Sequence, residues 1–252
     1  MVNPWIRLAV GLVVLVVIAV AVLSVGRVPQ RRAVLVAGGR AVVQLTVVAL
    51  ALRGVFAAPG FVVLMLTVMF GVATWTATRR LRGFADIGRA VTIACAAGAM
   101  VTIGLICGLP VLDRSVRTLV AVSGIVVGGT MTAATLTGRR LLDGLRRRRE
   151  EVEGWLALGA TPRQAVVTIA RDAAAEALVP GLDQTRTVGL VTLPGAFVGA
   201  LLGGAGAEGA ARFQIVVLVG LMCAQSITAV VLAYLLGAPA TLPDAEATPV
   251  RR

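Results

Sequence analysis

Apolar runs of about 20 residues, almost free of charge, recur from Leu8 to Leu236 and constrain this chain more than anything else in it. A soluble domain carries about 25% charged residues, whereas here charged residues make up 14% and mean hydropathy is +0.93. Such runs belong in a bilayer. Backbone N–H and C=O groups in lipid must pair internally, which leaves helices or a closed barrel. The runs are continuous and do not alternate in ten-residue segments, so a barrel is disfavoured. The sequence predicts an all-α polytopic membrane protein with seven spans, over Leu8–Val25, Ala33–Leu52, Gly60–Thr78, Ala90–Leu109, Leu119–Thr137, Thr187–Leu202 and Phe213–Leu236. Leu8–Val25 is too long for a signal-peptide core and no clear A-x-A site follows it, so it reads as a retained span.

Arginine sets the orientation. Net charge is +12, and every basic residue is arginine. The first, third and fifth connections and the tail hold them all except Arg7, Arg53, Arg114, Arg117 and Arg212. Cytoplasmic connections collect positive charge, so the N-terminus is expected outside and the C-terminus inside. The arginines flank apolar runs, which suits anionic headgroups and not nucleic acid.

The expected spans are poor in ionisable chemistry. There is no histidine, and Asp and Glu are absent from all seven runs. Proton-coupled transport usually needs intramembrane acids or histidines, and an intramembrane hydrolase needs a nucleophile with a base. Both are disfavoured. Cys95, Cys107 and Cys223 lie in apolar runs without CxxC spacing. They read as small buried hydrophobes or as soft metal contacts along a pathway. Polar side chains within the runs, Gln44, Gln214, Gln225 and Thr130 among them, either bond to a neighbouring helix or face a cavity.

The fifth connection, 139–186, carries most of the local information. Gly159 fits the end of one helix. Thr161 fits an N-cap, and Pro162 the first turn of the next helix. The reading is helix, sharp break, helix on the arginine-rich side. The second helix places Ala165, Val166, Ile169, Ala173 and Leu178 on one face, suited to a partner groove or to the membrane surface.

Two motif sets resemble known transporters. Glu153, Gly159 and Ile169 match the spacing of the E-A-A-x-x-x-G-x9-I-x-L-P coupling loop of ABC importer permeases. Gly154 and Trp155 stand where that motif has alanines, and Arg171 and Asp172 where it has Leu-Pro. A broader match joins the segments Gly39–Leu45, Leu158–Ala165, Arg171-Asp172 and Thr187–Gly195, within a stretch from about Gly39 to Leu236. Together they resemble the bacterial iron-export ABC permease family, to which plant aluminium-tolerance permeases are related.

The resemblance implies a transmembrane permease domain over 1–238 with a cytoplasmic coupling segment over 139–186, and the Pro-, Ala- and Thr-rich composition of 239–252 predicts a disordered tail, cytoplasmic by the arginine asymmetry. The resemblance also implies a permease homodimer in the bacterial plasma membrane, driven by a separate ABC ATPase subunit that holds ATP and Mg. No Walker A sequence is present to bind ATP in this chain, and the chain is not expected to be an enzyme. Glu153, Leu158, Gly159, Ala160, Thr161, Pro162 and Gln164 are the expected coupling residues. Arg40, Gln44, Thr130, Met131 and Gln214 are the candidate pathway residues, and no metal ligands are assigned. The implied cargo is iron or a related metal complex. A non-metal cargo, a passive channel and a non-transporting scaffold remain as alternatives.

Overall fold

A computed structural model of the chain describes residues 4–57, 60–81, 83, 84, 86–109, 111–113, 115–239 and 241. Most of the expected tail, 239–252, lies outside them. The described residues form nine helices: α1 (Pro4–Val25), α2 (Arg31–Ala57), α3 (Gly60–Arg80), α4 (Ile87–Gly108), α5 (Val116–Arg147), α6 (Arg149–Ala157), α7 (Pro162–Thr187), α8 (Gly195–Leu202) and α9 (Gly206–Leu236). Six of them, α1 to α5 and α9, are long and apolar enough to cross a membrane. The chain is a multi-pass α-helical membrane protein.

It divides into two compact units, Met1–Phe61 and Val62–Arg252. In the first, α1 pairs with α2. In the second, α4, α5 and α7 pack on α9, α7 also packs on α5, and α8 lies on α9.

Small residues let these helices approach closely. A Cβ built on Gly98 of α4 would collide with Thr228 Oγ1 and stand 2.6 Å from the Ala224 carbonyl oxygen of α9. One on Gly138 of α5 would stand 2.6 Å from Leu81 Cδ1, so that leucine plugs the gap the glycine leaves. Packing of this kind replaces the hydrophobic drive that lipid removes.

Two expectations are corrected. Thr187–Leu202 is not one helix. The chain leaves α7 at Thr187, turns through Gly189 at φ +81°, and restarts only after Pro194. Hydropathy registered an apolar run, but a left-handed glycine and a proline without an N–H end the helical ladder. The remaining helix, α8, has 8 residues and is about 12 Å long, against a hydrocarbon core of about 30 Å. The second correction concerns the apolar face of α7. Ala165, Val166, Ile169 and Ala173 are buried, and Leu178 packs against the same core. Helices α5 and α9 of the same chain cover that face, so it offers no groove to a partner.

Candidate functional site

The α6–α7 hairpin has the local structure its sequence prescribes. Helix α6 ends in a Schellman motif: the Gly159 N–H donates to the Leu156 carbonyl at 3.0 Å, and the Ala160 N–H to that of Trp155 at 3.0 Å. That closure needs a left-handed residue after the cap, and Gly159 has φ +88°. Thr161 then opens α7 with a capping box: the Gln164 N–H donates to Thr161 Oγ1, and the Thr161 N–H to Gln164 Oε1 at 2.8 Å. Pro162 occupies the first turn, where no N–H is required.

Ion pairs fix the hairpin to the end of α5. Arg148 donates twice to Glu151, both bonds at 2.7 Å, and reaches Asp172 of α7 at 3.3 Å. The Arg148 hydrogen bonds hold the Glu151 carboxyl below its ordinary range. Glu153 pairs with Arg149 one turn back at 2.7 Å. Val152 faces inward and is buried. Trp155, Leu156 and Leu158 project outward, with Leu158 82% exposed. A cleft of about 590 Å³ opens beside them, lined by Trp155, Leu158, Gly159, Ala160 and Gln164 among others. The expected coupling residues thus gather at one tip, an apolar knob on a charged hairpin.

The candidate pathway residues are divided between the two units. Arg40 and Gln44 stand one turn apart on α2 of the first unit, both exposed. The other three belong to the second unit. Thr130 is fully buried, its hydroxyl donating to the Val127 carbonyl at 2.9 Å. Its Cγ2 would lie 3.2 Å from a Cβ on Gly98, which makes it part of the α4–α5–α9 packing. Met131 packs against both apolar clusters of that unit. Gln214 is buried in α9, and its Oε1 has no hydrogen-bond partner among the described residues.

A different junction emerges around Gln225 of α9. A Cβ on Gly181 of α7 would collide with Gln225 Oε1, and one on Gly129 of α5 would lie 3.6 Å from Gln225 Nε2. The two glycines make room for an amide where α5, α7 and α9 meet. Gln225 was legible as a costly polar residue, but Gly181 lay in a helical connection expected outside the bilayer. Helix α7 also carries Pro180 in its interior, next to Gly181. No set of three or more His, Cys, Asp or Glu placed to hold a metal occurs among the described residues.

Comparison with known proteins agrees with these motifs. A rice protein named UPF0014 membrane protein STAR2 is 35% identical over 222 residues, covering 87% of this chain and 78% of its own length. Protein ALUMINUM SENSITIVE 3 of Arabidopsis thaliana is 34% identical over 198 residues, covering 78% and 72%. The Escherichia coli protein named "Probable iron export permease protein FetB" is 29% identical over 223 residues, covering 88% and 86%. No solved structure matches. The family model described as "Uncharacterised protein family (UPF0014)" matches residues 5–239, and the chain belongs to that family.

Proposed function

We propose that the chain is the membrane-spanning permease subunit of an ABC transporter, exporting iron or a related metal complex and driven by a separate cytoplasmic ATPase. The α6–Gly159–α7 hairpin carries this reading. Its apolar tip, Trp155, Leu156 and Leu158, is set among Arg148, Arg149, Glu151 and Glu153. An exposed apolar knob ringed by charge suits a protein groove in water better than lipid. Glycine and the capping box hold the knob rigidly to α7, which packs on α5 and α9. A push on the tip therefore reaches the bundle through a stiff element, as mechanical coupling requires.

In this reading the hairpin is cytoplasmic and the chain crosses seven times, N-terminus outside. The sixth crossing is shared by the C-terminal half of α7 and by α8. Two permease copies would accompany two ATPases. Iron as cargo rests on the name of the E. coli relative alone.

The test is reconstitution with a candidate ABC ATPase partner, following hydrolysis and flux together. Wild type should show ATPase activity stimulated by cargo. Gly159→Val should insert normally but lose that stimulation, because a β-branched residue at φ +88° costs about 1 kcal/mol or more and redirects the tip. Wild-type coupling in that variant would remove the hairpin from the mechanism.

A further inference from the structure

We infer that the exposed face of the C-terminal half of α7, at Asp183 and Arg186, lines a water-filled path through the membrane for a hydrated, charged cargo. The inference rests on the proposed crossing by α7 and α8, and it deepens the transport reading by naming where the path runs.

Depth comes first. Gly181 lies against Gln225, at the middle of the apolar run Phe213–Leu236. Gln225 in turn lies against Gly129, at the middle of the run Leu119–Thr137. Gly181 is therefore level with the centre of two spans. The approach of α7 to that level is continuous. Ile169 sits where Gly144 of α5 leaves space, Glu176 pairs with Arg140 at 3.1 Å, and Gly181 reaches Gln225. The residues after Gly181 lie at hydrocarbon depth.

Charge comes second. Asp183 and Arg186 form an ion pair at 3.4 Å, with side chains 59% and 74% exposed. Helical spacing puts Glu176, Asp183 and Arg186 on one face. The alanines Ala173, Ala174 and Ala177 turn the opposite way, into the core. An exposed ion pair facing hydrocarbon is strongly unfavourable. Arginine can reach toward an interface along its stem, but aspartate is too short to do so. Such a face needs water beside it.

Backbone comes third. α7 stops a few residues later, and Val188–Pro194 is irregular, with Gly189 donating to the Thr192 carbonyl at 2.9 Å. Non-helical backbone at membrane depth is tolerated where it lines a cavity or is buried in protein. A discontinuous helix beside a charged face is what a path through the bilayer requires.

The test is thiol accessibility in proteoliposomes on a Cys95→Ala, Cys107→Ala, Cys223→Ala background. Asp183→Cys and Val179→Cys, the latter on the same face by helical spacing and 49% exposed, should react with a membrane-impermeant methanethiosulfonate at least about 10-fold faster than Met100→Cys, an exposed apolar position in α4. The Val179 variant leaves the Asp183–Arg186 pair intact, so a folding defect in the Asp183 variant does not spoil the test. Rates equal to that of Met100→Cys, with reaction only toward a bilayer-soluble maleimide, would overturn the inference. Efficient disulfide formation between two copies at Asp183→Cys, without labelling, would also overturn it by making the face a packed interface. Labelling needs no ATPase, so it stands or falls separately from coupling through the hairpin.

Discussion

At the scale of single residues, glycine has two distinct jobs in this chain, and substitution separates them. Gly98 serves packing. A Cβ there would meet the Ala224 carbonyl oxygen at 2.6 Å and collide with Thr228, and backbone cannot swing aside as a side chain can. Gly98→Ala should cost about 1–3 kcal/mol through overpacking, read as a lowered Tm in detergent. Unchanged Tm would mean that α4 and α9 are less closely apposed. Gly159 serves conformation, for nothing lies within 4 Å of a Cβ built on it. Its substitution should cost the turn and not the core. Gly159 was legible in sequence because its signal is local: a glycine, then Thr-Pro, then a glutamine three residues after the threonine. Thr130 was harder to place. Sequence marks it as polar in an apolar run, but whether its hydroxyl faces a path or its own helix depends on rotation, and here it bonds to Val127.

At the scale of elements, α7 misleads a reader of hydropathy. Its charges, Arg163, Arg171, Asp172, Glu176, Asp183 and Arg186, make 139–186 look like a helical connection wholly outside the bilayer. Its alanines nevertheless form a face narrow enough to sit between α5 and α9. Alanine contributes little to a hydropathy window but allows close approach. The opposite error befell Thr187–Leu202, where apolar composition hid a break at Gly189 and Pro194. The join between α5, α6 and α7 makes a pH prediction. The folded-state pKa of Glu151 is depressed by Arg148, so its contribution is present above the ordinary carboxyl range and is lost as pH falls through the depressed value. Protection of the α6 amides, taken relative to the intrinsic exchange rate at each pH, should therefore be higher at neutral pH than below the ordinary carboxyl range. Glu151→Gln should show the lower protection at both pH values, and wild-type protection at neutral pH in that variant would show that the Arg148–Glu151 pair is not what holds the hairpin.

At the scale of the whole molecule, the open quantity is the number of crossings, and its parity can be measured. Six helices qualify as spans by length and hydropathy. If only these cross, both chain ends share one side, and the arginines of the tail fall on the same side as the N-terminus. If α7 and α8 together make another crossing, the ends lie on opposite sides and every arginine-rich connection falls on one side, as the charge rule favours. The energetics favour the second arrangement. Leu190, Val191 and Leu202 are 90%, 77% and 84% exposed. Burying such side chains in lipid is worth about 1.5–3 kcal/mol each relative to water. The segment that joins α7 to α9 thus gains by entering the bilayer, provided the charges of α7 keep contact with water. Cysteines introduced singly at Asn3 and at Glu246, on the background free of native cysteines, should label from opposite sides of intact cells: Asn3→Cys directly, Glu246→Cys only after permeabilisation. Glu150→Cys in α6 should behave like Glu246→Cys, and Asp113→Cys, ahead of α5, like Asn3→Cys. Labelling of Asn3→Cys and Glu246→Cys from the same side would leave an even number of crossings and remove the crossing by α7 and α8. The water-filled path along the charged face of α7 would go with it, while the α6 hairpin would remain available to a cytoplasmic partner if Glu150→Cys still required permeabilisation.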